Sequence, residues 1–236
     1  MNVVPQPNVA PPKKFQFVGG ALCLDFCNSV GGKRGVRSRE YLNSYRDFLS
    51  WSEQAGLLDT RRSEELLRKV RRRPSGAADA LKRAIRLREA VYRIFFELAE
   101  NKRPAERDIG ELNVELSRSL SRLRVAPAKN GFGWQWSAEH VALDHPLGPI
   151  ARSAADLLTS DWALENIRQC QGENCGWLFL DSSKNHSRCW CDMRDCGNRA
   201  KVRRHRMREK TSSREIPSPK PQILNKSQIP NSKMSR

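Results

Sequence analysis

Five of the seven cysteines crowd into 27 residues: Cys170, Cys175, Cys189, Cys191 and Cys196. Two pairs of equal spacing stand out, Cys170-x4-Cys175 and Cys191-x4-Cys196, with 15 residues between them. Paired thiolates at short spacing grip one tetrahedral ion, and the intervening loop lets the pairs converge. Cys170, Cys175, Cys191 and Cys196 are therefore the candidate ligands of one Zn²⁺. A closed four-thiolate site keeps no coordination position for water, so the ion would be structural and not catalytic. Cys189 and His186 are further donors nearby, and a Cys-x-Cys pair could exchange Cys189 for Cys191. Cys175-Gly176 and Cys196-Gly197 read as knuckle turns, glycine letting the backbone fold tightly behind the thiolate.

A basic run follows the second pair. Residues 199–210 hold Arg199, Lys201, Arg203, Arg204, Arg206, Arg208 and Lys210, opposed only by Glu209. At helical spacing Arg199, Arg203, Arg206 and Lys210 share one face, and almost no apolar stripe remains for packing. Such a helix suits a DNA major groove, with arginine reaching phosphates or guanine edges. Two cysteine pairs and a helix suggest a small treble-clef-like zinc finger over residues 165–210. A module of about 45 residues buries too little surface to fold alone, so the metal would supply the missing free energy.

The stretch WCDMRDCGNRAKVRRHRMR resembles the CGNR zinc-finger family, named for Cys196-Gly197-Asn198-Arg199. The likeness runs from about Arg168 to Arg208 and includes Phe179, Asp181, Ser182 and Trp190. It implies Cys170, Cys175, Cys191 and Cys196 as zinc ligands; Cys189 stands where the family usually places arginine. FVGGALCLDFCNSV resembles the opening of the ABATE domain, which commonly precedes a CGNR finger in bacterial proteins. The segments YLNSYRDFLSWSEQAGLL and PIARSAADLLTS are similar to it as well. The resemblance implies a family regarded as stress-induced transcription regulators.

The elements ahead of the finger read as a mostly helical α+β domain over residues 14–160. Phe15 to Asn28 alternates around Gly19-Gly20, which predicts a strand, a turn and a strand, or one strand with a bulge. Gly31, Gly32 and Gly35 make Lys33 to Arg39 a flexible basic loop. Tyr41, Leu42, Tyr45, Phe48, Leu49 and Ala55 predict a helix with Gly56 as its C-cap. Ser63 would cap a helix over Glu64 to Arg73, stopped by Pro74. Leu81, Ala84, Leu87, Val91, Ile94 and Leu98 recur at helical spacing, and Ile109, Leu112, Leu116, Leu120 and Leu123 do so after Pro104. A β-hairpin is expected within Val125 to Leu143, and a helix from Pro149 that ends near Ser160. Trp134 and Trp136 are read as core residues, as are Cys23 and Cys27. Residues 1–13 and 211–236 are expected to be disordered.

In the N-terminal domain Gly19, Gly20, Asp25 and Asn28 could line a pocket for a small effector, although structural roles at a strand end also explain Asp25 and Asn28. A sensing or dimerising role is expected for the domain, with a homodimer as one outcome.

Composition narrows the partners. The formal net charge is +17 and the pI about 10.1. Residues 160–236 carry 16 cations against 8 anions, the denser positive end. A polyanion is the expected partner, double-stranded DNA first. An RNA-binding protein and a zinc-stapled protein-interaction module are the alternatives. No apolar run approaches the roughly 20 residues of a membrane span, and the start lacks the pattern of a secretory signal. A cytoplasmic, reducing setting is expected. Enzyme signatures are missing: there is no phosphate-binding glycine loop, GxSxG elbow or HExxH, so a non-enzyme is expected.

Overall fold

A computed structural model describes residues 13–137 and 142–212, with side chains as far as residue 209. Among the described residues the chain is mostly helical, with three antiparallel strand pairs. It divides into two compact units after Asn198.

The first element is a helix, α1 (Leu22–Cys27), where the alternating pattern predicted strands. The reason lies in the cysteines. Cys23, Leu24, Phe26 and Cys27 are all buried, a spacing of one, three and four that only a helix satisfies. Counted as small apolar residues, the thiols complete the helical stripe; counted as polar, they mimic a strand. Phe26 rests against Phe48 and Trp51, with ring centroids 5.9 and 4.8 Å apart.

The glycine-rich basic segment is also ordered. β1 (Val30–Lys33) pairs with β2 (Arg37–Glu40) as an antiparallel hairpin, closing on Gly35 at φ +77°. Glycine fits that left-handed corner without a Cβ clash, so the turn chemistry that looked like flexibility specifies a tight turn.

α2 (Tyr45–Gln54) follows the predicted face, and Gly56 at φ +73° turns the chain just beyond its C-cap. α3 (Thr60–Arg72) starts four residues before the expected Glu64. Asp59 caps it, accepting from the Arg62 N–H at 2.7 Å, and Ser63 is buried inside the helix. Pro74 ends α3 and opens α4 (Pro74–Ala99), since its missing N–H costs nothing at a first helical position. α4 is the central helix and buries Ala84, Leu87, Val91, Ile94 and Phe95 completely or nearly so.

α5 (Glu106–Leu120) packs on α4, and Leu123 belongs to the next strand. β3 (Leu123–Ala128) and β4 (Gly131–Trp136) form the second hairpin, two residues earlier than expected. Trp134 and Trp136 share a face, yet only Trp136 packs inward, against Gly148. Trp134 is 63% exposed beneath the Arg152 guanidinium, so it is not a core residue. Val141 and His140 lie outside the described residues. α6 (Leu147–Leu158) begins two residues before Pro149, and α7 (Asp161–Asn166) leads into the finger. Most of 1–13 and 211–236 falls outside the described residues. Lys13 reaches the Tyr41 carbonyl and Asp47, and Thr211 and Ser212 close the last helix.

One charged cluster lies inside this body. Arg88 on α4 is 2% exposed and donates to both carboxylate oxygens of Glu40, at 2.8 and 2.6 Å, and to Glu89 at 2.9 Å. Arg34, from the hairpin turn, also donates to Glu89 and stacks on the Tyr92 ring at 3.6 Å. Burial works against ionisation of Glu40, and the bonds from Arg88 more than offset it, holding its carboxyl below the usual range. Removing one partner strands the others in a poorly solvated place. Arg88→Met should therefore lower stability by about 2–4 kcal/mol at neutral pH, read as a reduced midpoint in urea unfolding.

Candidate metal centre and its seating

Three short elements build the site. β5 (Ile167–Gln169) and β6 (Leu178–Leu180) form an antiparallel pair whose connection carries Cys170 and Cys175. Cys191 precedes a π-helical turn, Met193–Gly197, which carries Cys196 and runs straight into α8 (Asn198–Ser212). Asp192 starts the turn by accepting from the Arg194 N–H at 2.7 Å.

The four sulfurs of Cys170, Cys175, Cys191 and Cys196 all lie within 4.8 Å of one another, and all four residues are buried. Cys175 and Cys191 are 3.8 Å apart at sulfur, and Cys191 and Cys196 3.7 Å. A regular tetrahedron with Zn–S bonds of about 2.3 Å has edges of about 3.8 Å. The donors thus fit zinc in number, softness and spacing. Cys189 stays out of the cluster, its thiol directed to the Ser187 carbonyl at 3.4 Å. His186 is engaged elsewhere, its Nδ1 3.0 Å from the Asp181 carbonyl and its ring edge-on to Trp162.

The cysteine sulfurs lie within hydrogen-bonding reach of one another. Sulfhydryl bonds from Cys175 and Cys191 lower the Cys170 thiol, and the bond with Cys170 pushes Cys191 up. One bound dication replaces those protons and lets all four ionise.

The glycine that matters to the sulfurs is Gly172. A Cβ there would come within 2.9 Å of the Cys175 Cβ and 3.3 Å of the Cys196 sulfur, and its N–H points to the Cys170 sulfur at 3.5 Å. Gly176, expected to serve that purpose, has another role. Its N–H donates to the Gly32 carbonyl at 3.1 Å, and a Cβ would meet Lys33 Cα at 3.2 Å. Gly197 makes room for Met193 and Trp190.

Those contacts belong to a seam that joins the cysteine module to the helical body. The Trp177 indole donates to the Val30 carbonyl at 2.8 Å, and the Tyr92 hydroxyl to the Gly176 carbonyl at 3.1 Å. Ile167 and Leu178 are fully buried in the same hydrophobic core as Phe26 and Leu87. The proposed pocket residues are placed on this seam. Asn28 is buried and pairs with Leu178 like a strand neighbour: its amide donates to the Leu178 carbonyl at 2.9 Å and its oxygen accepts the Leu178 N–H at 3.0 Å. The Gly19 carbonyl accepts the Leu180 N–H at 2.8 Å, and Gly20, at φ +78°, faces Leu180. Asp25 caps the turn, taking the Gly19 N–H at 2.7 Å. A cavity of about 510 Å³ lies elsewhere, lined by Arg72, Arg73, Gly76, Arg83, Leu143 and Asp144.

Sequence reasoning missed the residues that place Cys191. Asp181, fully buried, accepts from Ser183 and from the Arg188 N–H, at 2.8 Å for the latter. Arg188 in turn donates to the carbonyls of Trp190 and Cys191 and lies over Phe179. The Asp181-Ser182-Ser183 run was a legible turn signal; the reach of Arg188 had no local signal.

Two tests follow from this geometry. The protein should carry about one zinc per chain, and Cys175→Ser should bring metal analysis close to zero. Because Ile167 and Leu178 sit in the main core, far-ultraviolet dichroism should keep most of its helical signal in that variant, while residues 170–196 become protease-sensitive. For Asp25, burial raises the carboxyl to about 6, against the pull of the Gly19 and Val18 N–H groups. A raised folded value stabilises fully below the unfolded value and is lost as pH climbs through about 6. Asp25→Asn keeps the acceptor and removes the charge. It should match the wild type near pH 4 and exceed it above pH 7 by roughly 1–2 kcal/mol in thermal or urea melts.

Residues 20–161 match the ABATE family, described as "putative stress-induced transcription regulator", and residues 166–209 match the CGNR zinc finger. No curated protein matches the sequence. Among the described residues no helix is long and apolar enough to cross a membrane. The first match spans more than half of the 236 residues and the thiol cluster falls within the second, so the chain belongs to the ABATE family and carries a CGNR zinc finger whose four cysteines are arranged to hold one structural zinc ion.

Proposed function

We propose that this protein is a DNA-binding transcription regulator whose zinc site orders the start of α8, so that the helix offers its guanidinium groups to a duplex. The reading divides the chain into a sensing or dimerising part, residues 14–160, and a DNA-binding finger, residues 165–210. The observation that carries it is α8 itself. Residues 201–209 are all exposed, including Val202 and Met207, so no face of this stretch is committed to a core. Seven cations are set along it from Arg199 to Lys210, and the side chain of Lys210 lies outside the described residues. Like charges at helical spacing repel, and an exposed helix of this kind gains most from an anionic partner.

Arg199, Arg203, Arg206 and Lys210 would follow one line of phosphates or base edges, with Lys201, Arg204 and Arg208 on the flanks. The ion holds the shape of the finger and takes part in no reaction. The matched families are described as a "putative stress-induced transcription regulator" and a zinc finger, in keeping with a binding protein. A reducing, cytoplasmic compartment suits four ionised thiols. A small effector and a homodimer remain parts of the proposal for residues 14–160.

Binding to a random-sequence duplex, followed by fluorescence anisotropy, tests the reading. With about six phosphates contacted, log affinity should fall against log salt with a slope near −5. Arg203→Ala with Arg206→Ala should weaken binding at least tenfold at about 0.1 M salt, and leave zinc content and the thermal midpoint unchanged. A wild-type slope near zero overturns it. Tighter binding to single-stranded RNA of equal length, or nuclease-resistant capture by an acidic protein, would favour the two alternatives.

A further inference from the structure

The β1–β2 hairpin carries charge that the fold itself does not use. Register places Lys33 directly opposite Arg37, and Arg39 opposite Gly31. Lys33, Arg37 and Arg39 therefore share one face of the ribbon, and all three are exposed. Like charges directly opposite each other destabilise a strand pair. The only acid on the hairpin is Glu40, which lies on the other face and is held by Arg88. At the turn Val36 is 78% exposed. Tyr41 lies against Gly31, and the Arg39 guanidinium stands 5.5 Å over its ring.

The ribbon is nonetheless held firmly. Arg34 ties its turn to Glu89 and to the Cys27 carbonyl at 2.8 Å. Its first strand is fastened to the residues that follow the second zinc ligand: Gly176 bonds to Gly32, and Trp177 to Val30. A basic, unbalanced face is thus fixed beside the metal centre, at a point where free loops would have solvated the charge more cheaply.

We infer that the outer face of this hairpin, Lys33, Arg37 and Arg39, is a second contact surface for double-stranded DNA, gripping backbone phosphates without reading bases. The inference rests on the DNA-binding reading above and adds a partner-facing role for the N-terminal segment. A two-stranded ribbon is narrow enough to lie along a DNA groove, and phosphate contacts set register and orientation. Charge complementarity selects the occupant, because the face has three cations, no acid and one apolar residue at its tip.

The test compares two variants of the zinc-loaded full chain: Lys33→Gln, Arg37→Gln and Arg39→Gln together, and the α8 pair Arg203→Ala with Arg206→Ala. Binding to a random-sequence duplex is measured across a salt series. The hairpin variant should bind about tenfold or more weakly at about 0.1 M salt, and its salt slope should flatten by about 2 to 3, near 0.9 for each lost phosphate. Arg37→Gln alone should flatten the slope by about 1 and supplies the readout should the triple variant fold poorly. Zinc content and thermal midpoint serve as folding controls. Duplex binding by the wild type and loss only in the α8 variant would overturn the hairpin surface and leave the DNA-binding reading standing. No salt-sensitive duplex binding by the wild type would overturn both. A hairpin effect confined to single-stranded RNA would overturn the duplex assignment.

Discussion

Four cysteine sulfurs gathered within 4.8 Å in a buried place impose an electrostatic condition on everything around them. Four thiolates at that spacing repel strongly, and four thiols waste the geometry on weak sulfhydryl bonds. A dication resolves the conflict, because it balances charge and repays the loss of hydration through direct bonds. The surrounding chain is arranged to deliver the sulfurs: Gly172 lets the first pair close, Asp181 and Arg188 shape the long connection, and the π-helical turn swings Cys196 toward Cys191.

The cysteine module does not fold as an isolated bead. Its strand pair contributes Ile167 and Leu178 to the core that also holds Phe26, Leu87 and Trp51. Asn28 supplies the side-chain equivalent of a neighbouring strand to Leu178, satisfying a buried donor and acceptor together. Gly19, Gly32 and Val30 add carbonyl acceptors along the same line. Metal ligation and core burial therefore share the work of stabilising residues 167–197. Any change in the helical body that moves α1 or the first hairpin also moves the frame of the zinc site.

Among the described residues, cations differ in how the fold uses them. Arg34, Arg83, Arg88 and Arg122 are drawn into the body and matched with Glu40, Glu89, Glu115 and Asp144. Bidentate guanidinium geometry suits these partly buried pairs. Those along α8 as far as residue 209 and on the outer face of the β1–β2 hairpin lie at the surface. Self-repulsion there lowers stability and raises attraction for polyanions.

The sequence by itself determined what short-range physics can write. The 3.6-residue period marked α2, α4, α5 and α6, and the two equal cysteine spacings chose the ligands. The run of arginines fixed the character of α8. Tertiary structure decided the rest. Gly19, Gly20 and Asn28 looked like part of a ligand pocket because their partners, Leu178 and Leu180, lie 150 residues or more away, beyond any local pattern. Cys23 and Cys27 read as core residues, but the alternation around them read as strand until packing buried them on a helix. Gly31, Gly32 and Gly35 read as slack until the Arg34 network and the docking of Gly176 froze them. Local periodicity reports which side of an element is apolar; only the packed chain reports what that side meets.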